Sequence, residues 1–157
     1  MKPYLTVMKA GQAEQAIERS RFIGHAIPAK TVPECEGFFE RIRKEHRQAT
    51  HNVPAYVLGE GCRLQWAGDD GEPRGTSGAP IVHMLAGEGI SDVAIVVTRY
   101  FGGIKLGTGG LVRAYTGTAK LALADDLWRL SQTIMAVILF MELGVRLIPL
   151  WDSLVRH

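Results

Sequence analysis

The densest chemical signal in this chain is a glycine-rich loop, Gly102 to Gly110, with five glycines in nine positions. Glycine lacks a Cβ, so its backbone adopts positive φ and its amide approaches a ligand closely. The loop leads into a helical pattern, and the free N–H groups and dipole of a helix start favour an anion. The loop therefore predicts anion or phosphate contact. The alternative is a tight turn that only packs the helix on the preceding strand.

The charges around this loop favour the anion interpretation. From Arg99 to Lys120 there are four basic residues and no acidic one, in a chain whose net charge is +2. Two nucleotide motifs are excluded, because Thr108 stands where a Walker A loop needs lysine and Val112 where a dinucleotide fingerprint needs glycine. The predicted anion or nucleic-acid site comprises Arg99, Gly102, Gly103, Lys105, Gly107, Thr108, Gly109, Gly110, Arg113 and Lys120.

A second motif is the acidic loop DDGEPRGTSGAP, Asp69 to Pro80. It has turn chemistry, and Thr76 or Ser77 can cap a following helix. It also has the polarity of a binding-site rim, and those candidates are His51, Asp70, Glu72, Arg74 and Thr76. A metal is the third interpretation, but EF-hand spacing fails because Arg74 takes the fifth position. We predict no metal, no cofactor and no catalytic residue.

The elements that must position these loops mix strands and helices without regular alternation, which predicts an α+β fold. Val93 to Thr98 is apolar on both faces and predicts a central strand. Pro33 opens a helix with a buried stripe at Cys35, Phe38, Phe39 and Ile42. The other predicted strands cover 4–9, 18–28, 52–58 and 62–67, and the other helices begin near Pro80 and Leu111.

Length and composition limit the classes of protein to which the chain can belong. The 157 residues, 46% of them hydrophobic, suit one domain with an appendage, or one domain with part of a second. Cys35 and Cys62 are isolated, which predicts reduced thiols in a reducing compartment. Met1 to Ala10 lacks a signal-peptide pattern, so we predict a cytoplasmic protein.

Three ordered blocks resemble the YigZ/IMPACT family: SRFIGHA, DDGEPRGTSGAP and VVTRYFGGIKLGTGGLVRAY. The resemblance implies a two-layer α+β domain of the type in elongation factor G domain IV and a small-subunit ribosomal protein. It also implies a link to translational control, with RNA, the ribosome or a translation factor as the expected partner. Ser77 and Val53-Pro54 depart from the family pattern.

The resemblance assigns residues 1–126 to an IMPACT N-terminal-type domain and leaves 127–157 as a short apolar tail. The resemblance implies that full-length bacterial relatives carry a second, ferredoxin-like domain of roughly 70 residues, a usual small-domain size, which the tail does not match. Ile134 to Met141 predicts a helix that packs either on the domain or on another copy, and packing on another copy would give a homo-oligomer. An altered second domain and a membrane contact are the alternatives. We predict no membrane association, because Glu142 and Arg146 interrupt the apolar run.

The leading functional hypothesis is a non-enzymatic protein that binds nucleic acid or the ribosome and regulates translation. A protein-interaction module is one alternative, with the first helix or the tail as its surface. An enzyme acting on a phosphorylated small molecule or nucleotide is the other, with Asp70, Glu72 or His51 supplying acid–base chemistry.

Overall fold

The computed structural model describes residues 4–124, which form one five-stranded sheet and three α-helices. The strands are β1 (Gly11–Ile17), β2 (Ser20–Pro28), β3 (His51–Leu58), β4 (Leu64–Ala67) and β5 (Val93–Tyr100). The helices are α1 (Val32–Glu45), α2 (Gly78–Gly87) and α3 (107–124). The strand order is β1-β2-β5-β3-β4, and every neighbouring pair is antiparallel. The predicted α+β class is confirmed.

Strand β5 is central, as predicted, and seven of its eight residues are buried. The predicted helix at Pro33 is also confirmed, and its four stripe residues are all buried. Thr31 and Glu34 form a capping box at its start, where each side chain accepts a hydrogen bond from the backbone of the other.

Helices cover both faces of the sheet, so the predicted two-layer arrangement is wrong. The buried stripe of α1 packs on one face, against Tyr56 of β3 and Val96 of β5. On the opposite face, the ring of Phe22 contacts that of Tyr115 in α3. Gly24, on the same face as Phe22, lets α3 approach, because a Cβ there would lie 2.8 Å from the carbonyl oxygen of Thr118. The likeness to elongation factor G domain IV stays a prediction.

Three other boundaries differ from prediction. The strand expected at 4–9 is absent, and Leu5 makes only an isolated bridge to Ile90. Strand β1 was missed because Gly11–Ile17, an edge strand, contains only one large apolar residue, Ile17, and so lacks an apolar alternation. Helix α3 begins at Gly107 rather than Leu111, so part of the glycine loop is its first turn.

The predicted domain boundary at 126 and the tail 127–157 lie outside the described residues. Within residues 4–124, no helix is long and apolar enough to cross a membrane.

Candidate functional site

The glycine loop and the acidic loop meet at the end of β5, where they line a cavity of about 320 Å³. Antiparallel pairing places Arg99 beside His51, and the loop after β4 folds back over both. The cavity is lined by Glu72, Pro73, Arg99, Phe101, Lys105, Leu106, Gly107, Thr108 and Leu111. The two motifs that the sequence singled out therefore form one site.

A buried ion pair forms the floor of this site. Glu72 is 8% exposed and Arg99 is 4% exposed, and 2.7 Å separates Oε1 of Glu72 from Nη1 of Arg99. The hydroxyl of Tyr115 donates to the same carboxylate oxygen at 2.6 Å. Burial, and then this hydrogen bond, raise the pKa of Tyr115, so the phenol stays a neutral donor. The acidic loop is thus fixed to β5 and α3 at once.

Arg99 also lies between two aromatic rings. Its guanidinium carbon is 5.3 Å from the centroid of Phe22 and 5.2 Å from that of Phe101. Nη2 donates to Oγ of Ser20 at 3.3 Å, while Nε has no hydrogen-bond partner within the described residues. These contacts make Arg99 a structural cation whose charge is already matched by Glu72.

His51 ties the acidic loop to β3. Its Nδ1 lies 2.8 Å from the carbonyl oxygen of Asp70. A carbonyl only accepts, so we assign the proton of the neutral ring to Nδ1. Nε2 then faces Oε2 of Glu72 across 3.7 Å. The Asp70 side chain accepts the N–H of Asn52 at 2.6 Å. His51 and Asp70 therefore position the loop.

The residue that caps α2 is Asp69, which sequence reasoning missed. Its carboxylate accepts from the N–H of Gly75 at 2.9 Å, the hydroxyl of Ser77 at 2.7 Å and the N–H of Gly78 at 3.1 Å. Burial opposes its ionisation, but these hydrogen bonds outweigh burial and lower the pKa of Asp69. Ser77 occupies the N-cap position without capping, and the hydroxyl of Thr76 donates to the Pro73 carbonyl.

Three glycines of the loop are required by geometry. Gly103 has φ +89° and Gly107 has φ +70°, both in the left-handed region. At Gly102 a Cβ would lie 1.9 Å from the carbonyl oxygen of Arg19. Gly109 has neither constraint, since its nearest neighbour would be the end of the Arg113 side chain at 3.4 Å.

The four predicted cations fall into two groups. Arg99 is paired with Glu72, and Lys120 is paired with Glu88 at 2.7 Å on the surface. Lys105 and Arg113 are exposed and have no carboxylate partner among residues 4–124. Arg74, in the acidic loop, is also exposed. Anion binding by these residues stays a prediction.

Sequence reasoning missed the apolar part of the site. Phe101, Leu106 and Leu111 line the cavity, and Phe101 is 45% exposed. A signal was present, because an aromatic residue directly before a glycine loop is a candidate contact residue. Its exposure depends on how the acidic loop folds back, which no local pattern predicts.

Comparison with known proteins places the chain in a family. The model of the Impact N-terminal domain matches residues 18–123. The IMPACT family member YvyE of Bacillus subtilis is 53% identical over 71% of this chain and 52% of its own length. The IMPACT family member YigZ of Escherichia coli is 44% identical over 69% of this chain and 54% of its own length.

The chain thus spans about half the length of the curated relatives it matches. A crystal structure of a hypothetical protein superposes with a TM-score of 0.73 and 39% identity, over 76% of this chain and 59% of that one. The resemblance drawn from the three sequence blocks is confirmed. The chain belongs to the IMPACT family, and residues 18–123 are its Impact N-terminal domain.

Proposed function

We propose that this domain is a non-enzymatic RNA-binding module that contacts phosphates through the glycine loop and the start of α3. The observation that carries the proposal is the site at the end of β5. Gly107 and Thr108, in the first turn of α3, line the cavity together with the exposed Lys105, and the exposed Arg113 lies next to Gly109. Amides and cations directed at one place favour a phosphate more than either does alone.

The balance of charge at this surface supports the proposal. The buried Arg99 offsets the charge of Glu72, so Glu72 does not cancel the exposed cations. Lys105 lines the cavity as an exposed cation, and the exposed Arg113 lies next to Gly109 in the first turn of α3. When exposed cations bind phosphates, they release the counterions that were condensed on the nucleic acid. This release is the main source of non-specific affinity for nucleic acid.

Binding is favoured over catalysis because the candidate acid–base groups are already engaged. Glu72 accepts two short hydrogen bonds on one oxygen. Asp70 holds a backbone N–H of β3 and contacts His51 through its carbonyl. Groups that hold a loop in place would lose those contacts during proton transfer.

The role in translation comes from the family resemblance. We propose that the RNA is carried by the ribosome or a translation factor and that the protein acts in the cytoplasm. Phosphate contacts position a protein on RNA without recognising its bases, so they suit such a partner.

The test is the salt dependence of RNA binding, measured by fluorescence anisotropy with a labelled single-stranded RNA. Lys105→Ala with Arg113→Ala should weaken binding and lower the slope of log K against log salt by about 1.4, or ~0.7 per phosphate contact. The matched control is Arg43→Ala with Lys44→Ala, two exposed cations of α1 on the other face.

The control pair should leave affinity and slope near those of the unsubstituted protein. An affinity that did not change between low and high salt would rule out phosphate contact as the main interaction. Equal losses in the two double variants would mean that binding is not located at the glycine loop.

A further inference from the structure

Phe101 is an exposed aromatic residue that lines the cavity. It is 45% exposed, and the Arg99 guanidinium lies over its ring at 5.2 Å. Its backbone N–H donates to Oγ1 of Thr50 at 3.0 Å, and the N–H of Gly102 donates to Oγ of Ser20 at 3.3 Å. The ring is therefore supported from the protein side and anchored through its backbone, while much of it stays open to solvent.

The surroundings of this ring are not those of a simple phosphate site. Leu106, Leu111 and Pro73 make much of the cavity lining apolar, and Lys105 supplies a charge beside them. Arg99 also lines the cavity with its Nε unpartnered among the described residues. A phosphate needs amides and cations but no exposed ring. A flat aromatic face beside a cation is what an unpaired nucleotide binds through stacking and charge.

We infer that Phe101 is a stacking platform for one unpaired base of a single-stranded RNA, with the adjacent phosphate at Lys105 and the start of α3. This inference rests on the proposed function and adds the kind of RNA bound. A base within a duplex is stacked on its neighbours and cannot lie on a protein ring, so the site selects single strands.

The size of the cavity agrees with a single base rather than a long apolar ligand. Its volume of about 320 Å³ is at the lower end of small-ligand sites, which run from about 300 to 1,000 Å³. The backbone anchors of Phe101 also mean that little ordering is needed on binding, which preserves affinity.

The experiment compares three probes: a short single-stranded RNA, the same RNA annealed to its complement, and a strand of the same length with abasic positions. Phe101→Ala should weaken single-strand binding roughly 5- to 150-fold, the value of one stacked base. The salt slope should not change, because no charge is removed. Phe101→Trp should retain affinity. Neither the duplex nor the abasic strand should respond to Phe101→Ala.

Phe101→Leu keeps apolar cover over Arg99 but removes the ring, so it should weaken binding even if Phe101→Ala unfolds. Trp66→Ala is the matched control, since Trp66 is 47% exposed and stacks with Phe39 on the α1 face. It should leave single-strand affinity unchanged.

Full affinity of both Phe101→Ala and Phe101→Leu for the single strand, with normal salt dependence, would overturn stacking but leave phosphate binding intact. Salt-independent binding by the unsubstituted protein would instead defeat the proposed function itself. A mononucleotide that competes as well as the strand would overturn the assignment to RNA.

Discussion

Arg99 and Glu72 form a buried ion pair beneath the glycine loop, with 2.7 Å between Nη1 and Oε1. The pair joins the central strand to the acidic loop, and the Tyr115 hydroxyl adds α3 to the same oxygen. A buried pair is costly to break, because the remaining partner is left as an uncompensated charge. The two loops of the site therefore depend on each other for their positions.

Removing Glu72 should destabilise the domain strongly. Glu72→Ala leaves Arg99 as an uncompensated buried charge and removes the hydrogen-bond acceptor of Tyr115. We therefore expect a loss of about 3–5 kcal/mol in the free energy of unfolding. Glu72→Gln should cost less, since its carbonyl oxygen still accepts a hydrogen bond. Urea-induced unfolding followed by circular dichroism measures both.

The matched control is Glu88→Gln, which breaks an exposed pair with Lys120. Surface pairs contribute about 0–1 kcal/mol, so this variant should unfold almost like the unsubstituted protein. Similar losses in the free energy of unfolding for Glu88→Gln and Glu72→Ala would show that the buried Arg99–Glu72 pair is no costlier to break than an exposed pair.

The sequence was most informative where one local pattern determines an element. The apolar residues of β5 predicted a central strand, and the spacing of Cys35, Phe38, Phe39 and Ile42 predicted the buried face of α1. The glycines at Gly103 and Gly107 predicted a loop with positive φ. Each of these depends on residues that are close in the chain.

Prediction failed where long-range contacts decide the outcome. Arg99 was predicted to be a free cation, because its partner Glu72 is distant in the chain, in the acidic loop. Ser77 was predicted to cap α2, whereas the capping carboxylate belongs to Asp69, at the other end of the acidic loop. Strand β1 contains only one large apolar residue, Ile17, and its pairing with β2 makes it a strand.

His25 should make stability fall in mild acid. It is 6% exposed, and its ring centroid is 5.2 Å from that of His46. Burial, then the charges of His46 and Arg41, lower the pKa of His25, and Glu45 only partly offsets them. The unfolded chain titrates near pH 6.5, so below about that pH it binds a proton that the folded state resists. The free energy of unfolding should decline as the pH falls from about 6.5 towards the folded pKa.

Urea unfolding between about pH 7.5 and pH 5.5 spans the ordinary histidine pKa and measures this decline. His25→Gln should flatten it, while His83→Gln, at an exposed histidine, should not. An unchanged decline in His25→Gln would assign the acid sensitivity to other groups.

The glycines of the loop should differ sharply in tolerance of a methyl group. Gly102→Ala places a Cβ 1.9 Å from the Arg19 carbonyl oxygen, so the β1–β2 turn must shift, and we expect a loss of about 1–3 kcal/mol. Gly109→Ala meets only the movable end of Arg113 and lies in the first turn of a helix, where alanine is favoured over glycine by at most the roughly 1 kcal/mol of a helix interior. Thermal unfolding should therefore show a lower midpoint for the first variant and an equal or higher one for the second. Equal midpoints would mean that the turn is free to move away from Gly102, and the glycine loop would then lack the fixed backbone that both proposals require.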